Sequence, residues 1–60
     1  MTVRELAELY IEGSDNMEIW EIEKEQTVFN GTFCEAITCE YAEREVGSFG
    51  VEDGIIVMNI

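Results

Sequence analysis

The segment Asp53-Gly54-Ile55-Ile56-Val57-Met58-Asn59-Ile60 constrains this chain more than any other. Asp-Gly is a hairpin signal, because both positions of a tight two-residue turn need positive φ. The β-branched run that follows reads as a strand, with Ile56, Met58 and Ile60 on one side and Ile55 and Val57 on the other. A strand that is apolar on both faces builds a sheet whose two faces both need cover. Only 60 residues are at hand to provide it. A domain of that size buries only about 60% of its unfolded surface, so its margin of stability is thin.

The rest of the chain supplies elements to pack on this strand. Met1 to Glu12 reads as an amphipathic helix: Thr2 and Glu5 have capping-box spacing, and Val3, Leu6, Ala7 and Tyr10 recur at helical intervals, with Leu9 widening the stripe. Gly13 suits the left-handed position after the helix, and Ser14-Asp15-Asn16 continue as a turn. Met17 to Lys24 reads as a strand with Met17 and Ile19 facing one way and Trp20 and Ile22 the other. Thr27-Val28-Phe29 resume an extended run that ends at Asn30-Gly31.

Two readings compete beyond that point. Asn30-Gly31 is a hairpin signal that would make Thr32-Phe33-Cys34 a returning strand. Thr32 and Glu35 form a second capping box instead, with Phe33, Ala36, Ile37 and Tyr41 at helical spacing. The helix over 32–40 is the preferred reading. Glu43 to Val51 alternates loosely as a strand, in which Gly47 and Gly50 mark a bulge or a close backbone approach. The expected fold is one α+β domain over residues 1–60, an amphipathic N-terminal helix on a small, mainly antiparallel sheet in the order α-β-β-α-β-β.

Such a fold leaves one sheet face in question. One amphipathic helix covers one face, so the other falls to the short second helix, to a second copy, or to a target protein. The expectation is a homodimer formed through the face or edge that carries Trp20, Ile22 and the Ile55–Ile60 strand.

Charge narrows the partners. Fourteen acidic residues face only Arg4, Lys24 and Arg44, a net charge of −11. Direct contact with nucleic acid or an anionic membrane would set like charges together without any basic patch. No apolar run approaches the length of a bilayer span, and no secretory apolar core follows Met1. The expected setting is the reducing cytoplasm, with Cys34 and Cys39 as free thiols.

Catalytic chemistry finds few materials here. The chain has no His, the commonest general base and the usual partner of a Ser or Cys nucleophile. Ser14 and Ser48 have no identifiable base, and the Glu21/Glu23 pair reads as solvated side chains. Cys34 and Cys39 lie five apart, which turns about 140° on a helix and reverses face on a strand. Neither geometry suits a shared zinc ion, and both cysteines read as small buried hydrophobes. The expectation is a protein that is not an enzyme, with no catalytic residues, cofactor or metal.

The acidic positions cluster. Glu18, Glu21, Glu23 and Glu25 fall within eight residues, and Glu40, Glu43 and Glu45 form a second group. On one continuous strand Glu21, Glu23 and Glu25 would stand about 7 Å apart on one face. A row of that kind imitates a phosphate backbone and attracts a nucleic-acid-binding protein. The same residues also read as a solvated edge whose charge discourages aggregation. Trp20 is the candidate aromatic anchor beside them.

The opening Thr2-Val3-Arg4-Glu5-Leu6, the acidic strand after Asp15-Asn16, Gly31-Thr32, the Glu45-Val46-Gly47-Ser48-Phe49 strand and the Asp53-Gly54 hairpin together resemble small acidic proteins of Firmicute prophages and mobile elements. The resemblance implies a phage or mobile-element origin, where inhibitors of host defence are common. It carries over no functional residue. The resulting expectation is a protein-binding accessory protein, in its most concrete form a nucleic-acid mimic. It would occlude the basic surface of a host nuclease, a restriction or CRISPR-type defence component, or a DNA-binding protein, with Glu18, Glu21, Glu23, Glu25, Glu40, Glu43, Glu45 and Trp20 in contact. The alternative is a small structural or assembly protein that acts as a homo-oligomer.

Overall fold

The computed structural model describes residues 1–9 and 16–60. The first helix, α1, spans Val3–Leu9. The Thr2/Glu5 capping box forms: Thr2 N donates to Glu5 Oε1 at 2.8 Å and Glu5 N to Thr2 Oγ1 at 3.2 Å. Val3 N and Arg4 N, which no turn of helix can satisfy, donate to the carbonyls of Arg44 and Ala42. Val3, Leu6 and Ala7 are buried as their spacing requires, whereas Leu9 is 67% exposed and does not join the stripe. Tyr10, the Gly13 cap and the Ser14-Asp15 turn lie outside the described residues.

Strand β1 is Met17–Glu21, three residues shorter than its pattern suggested. Residues 22–25 turn instead, with Glu25 at φ 52°, and β2 follows at Gln26–Gly31. The capping-box reading of 32–40 holds over the returning strand, but α2 is one turn, Phe33–Ala36, with Thr32 as N-cap. Thr38 helps to end it, because its hydroxyl donates to the Cys34 and Glu35 carbonyls in competition with the backbone. Residues 43–47, expected in a strand, form the loop under the start of α1, and β3 is Ser48–Glu52. The Asp53-Gly54 turn takes φ 51° and 78°, as a tight hairpin demands, and leads into β4, Ile55–Asn59.

The four strands form one mixed sheet in the order β2-β1-β4-β3. β1/β2 and β3/β4 are antiparallel hairpins, and the central β1/β4 pair is parallel, with Met17 beside Ile56 and Ile19 beside Met58. The strand of the aliphatic run is therefore no edge, contrary to one form of the expected dimer. It sits between β1 and β3 and pairs with both, so neither of its sides is left open.

The core lies on one side of this sheet. Val3, Leu6 and Ala7 of α1 and Ala36 of α2 pack with Met17, Ile19, Ile56 and Met58. α2 joins α1 on that face, and among the described residues no helix covers the other. α2 packs on β2, and the two short helices cover the core side chains of β1 and β4, which leaves β3 outside the helix layer.

A candidate protein-binding face

Alternation along β1 sets the uncovered face. Met17, Ile19 and Glu21 turn toward the helices, so Glu18 and Trp20 turn away. The register places Glu18 between Asn30 and Val57, and Trp20 between Thr27 and Asn59. Asn30 Nδ2 donates to Glu18 Oε1 at 3.2 Å, which fixes that carboxylate on the sheet. Asn59 Nδ2 donates to Ser48 Oγ at 3.0 Å on the same face. Trp20 remains 37% exposed at the centre, and Ile22 beyond it is more exposed still. The face is thus an aromatic side chain framed by small polar groups, with aliphatic Ile55 and Val57 half-buried beside it.

The expected row of Glu21, Glu23 and Glu25 does not form. Glu21 has the parity of Met17 and Ile19, points into the helix layer and is only 7% exposed, with Lys24 Nζ at 3.9 Å from its Oε2. Glu23 and Glu25 lie in the turn, where strand alternation no longer applies. Glu18 and Trp20 therefore occupy the open face, Glu23 and Glu25 the exposed end of the β1/β2 hairpin, and Glu21 the opposite side.

The second acidic group has structural partners. Glu45 Oε2 accepts from the amino group of Met1 at 2.8 Å, Glu43 pairs with Arg4, and Arg4 Nε donates to the Ile37 carbonyl at 3.3 Å. Its position beside Glu45 raises the Met1 amine pKa above its ordinary value, through the hydrogen bond first and the opposite charge second. Glu40 sits by Tyr41, whose hydroxyl is shifted upward chiefly by its hydrogen bond to that carboxylate. These three residues lie on the loop that clasps α1, on the helix side of the sheet. They are not brought together with Glu18 and Trp20.

Of the cysteines, Cys39 packs against the core and donates its thiol to the Ala36 carbonyl at 3.2 Å, whereas Cys34 is exposed rather than buried. Residues that the sequence did not single out are Phe49 and Val51. Both share the helix side with Met58 and Ile56, yet stand 50% and 59% exposed because the helix layer stops short of β3. Strand parity gives their face, but only the position of β3 at the sheet edge explains their exposure. No protein-family model, curated protein or solved structure matches the chain.

Proposed function

We propose that this chain is a non-enzymatic accessory protein that binds a basic surface of another protein through the open face of its sheet. The observation that carries the reading is the placement of both helices on one side, which leaves Trp20 at 37% exposure on the other. A partly exposed Trp in a shallow frame of small side chains is the kind of anchor on which binding energy concentrates. The net charge of −11 supplies long-range attraction to a cationic partner. Glu18 beside the anchor and Glu23 and Glu25 at the hairpin end are the carboxylates that meet it.

Occlusion of a nucleic-acid-binding groove is the concrete form of this function. Phosphate positions would be taken by scattered carboxylates around an aromatic centre rather than by a regular row, and the partner class is a host nuclease, a defence component or a DNA-binding protein. Electrostatic capture of this kind weakens steeply as salt rises. The test is capture of a host protein by the immobilised chain at about 0.05 M and about 0.5 M salt, repeated with Trp20→Ala and with Glu23→Lys/Glu25→Lys. Capture that is lost at high salt and in both variants supports the reading. Capture that survives both variants unchanged refutes it.

A further inference from the structure

We infer that β3 is the subunit contact of a homodimer, in which two sheets join edge to edge through antiparallel β3 strands centred on Gly50. This contact is independent of the open-face reading and uses a different surface.

The backbone sets it up. The two-residue turn closes on a hydrogen-bonded Glu52/Ile55 pair, and alternation makes Gly50 the next residue bonded to β4. The N–H and C=O groups of Phe49 and Val51 therefore point away from β4, outward from the sheet. Edge strands are ordinarily guarded by Lys, Pro, a bulge or brevity. β2, the other edge, carries an irregularity in its pairing and has α2 against it. β3 pairs without a break from Ser48 to Glu52, holds no Lys or Pro, and is exposed at every residue.

The side chains make β3 complementary to itself. Centring the pair on Gly50 matches all five residues of each strand. Phe49 then stands opposite Val51 of the second copy in both halves, an aromatic–β-branched pair of the kind that stabilises sheets. Glu52 meets the second copy's Ser48, so no carboxylate faces another. Gly50 carries no side chain and the space over it is empty, so no bulky group stands on the sheet face at the centre of the contact. A two-fold axis normal to the sheet relates the copies, as an isologous contact requires. It sets both helix layers on the same side, where the half-exposed Phe49 and Val51 cover one another.

Charge gives this contact a signature opposite to that of partner capture. Two copies at −11 repel one another, and salt screens that repulsion, so the dimer strengthens between about 0.1 M and about 1 M salt. Sedimentation equilibrium over a range of protein concentrations reads the mass. The expected result is a shift toward twice 6.9 kDa that is larger at high salt. Val51→Pro removes an outward N–H that no internal bond uses, and should give a folded monomer by circular dichroism. If Val51→Pro fails to fold, Val51→Lys serves instead, because it plants a charge on each copy at a position 59% exposed in the free chain. Trp20→Ala should leave the dimer intact. A wild-type chain that stays monomeric at high salt overturns the inference, as does a folded edge variant that still dimerises. A dimer lost in folded Trp20→Ala but retained in the edge variants also overturns it.

Discussion

Replacing Glu21 and Glu25 by Lys, one at a time, separates the geometry found here from a simple acidic edge. Both changes move the net charge from −11 by the same two units, so any relief of overall repulsion is common to the two variants and cancels in the comparison. Their surroundings differ. Glu25 is exposed in the turn, and an exposed substitution shifts stability by less than about 0.5 kcal/mol. Glu21 is 7% exposed on the helix face, level with Met17 and Ile19, and its neighbouring cation is Lys24. A Lys there places a second ammonium next to the first and takes a polar head out of water, at a cost of about 1–3 kcal/mol. A chain of this length holds roughly 3–9 kcal/mol of stability in total, so the loss is a large share of it. With a urea slope near 1 kcal/mol per M for so small a protein, the unfolding midpoint should fall by about 1–3 M in Glu21→Lys relative to Glu25→Lys. Trp20 is the single tryptophan and lies on β1, which makes its fluorescence a direct reporter alongside circular dichroism. Coincident midpoints would refute the inward placement of Glu21.

Thr32→Ala should cost about 1 kcal/mol in urea unfolding, because it strips the hydroxyl that accepts from Glu35 N and donates to the Glu35 carboxylate, leaving only the backbone half of the capping box. Glu25→Gly should raise stability by about 1 kcal/mol, since φ 52° strains any residue with a Cβ more than it strains glycine. The Met1 amine pKa is raised above 8.0 by Glu45, so its contribution is full below pH 8.0 and is lost as pH climbs through the higher folded value; acetylating that amine should abolish this part of an alkaline melting-temperature profile. Glu5 and Glu35 carry the opposite sign. Backbone hydrogen bonds from Thr2 and Thr32 depress both pKa values below 4.5, so their contribution is present above pH 4.5 and is lost as pH falls through the lower folded values, which Glu5→Gln/Glu35→Gln should flatten in acid melts.

Local chemistry made much of the fold legible. Thr2/Glu5 and Thr32/Glu35 announce two helix starts through side chains three residues apart, and Asp53-Gly54 announces a hairpin through the φ values it permits. Those signals need only their own few residues. The strand order needs more, because β1 meets β4 across the sequence and neither segment encodes the other's position. The parity of Glu21 was readable, as Met17 and Ile19 share it, but a row of Glu at every second position reads equally well as a solvated face if the strand is taken through Lys24. The premature end of β1 decides between these, and it comes from the turn around Glu25 rather than from propensity. Glu43 and Glu45 carried no local mark of their partners, since Arg4 and Met1 approach them only once α1 has docked.

The parallel β1/β4 pair has a consequence for how the chain is made. Residues 17–20 align with 56–59, and this seam holds the two hairpins in one sheet. During synthesis, at about 5–20 residues per second, α1, the β1/β2 hairpin and α2 emerge first and have only Met17 and Ile19 as an apolar floor until Ile56 and Met58 of β4 arrive. Until then their buried side chains are exposed together with the open edge of β1. Contacts between such distant residues slow the search, because the loop between them must close before any pairing repays it. Completion of the core is thus deferred to a late event, and a product truncated before Ile55 lacks Ile56 and Met58 and leaves Met17, Ile19 and Leu6 incompletely covered, open to cellular proteases.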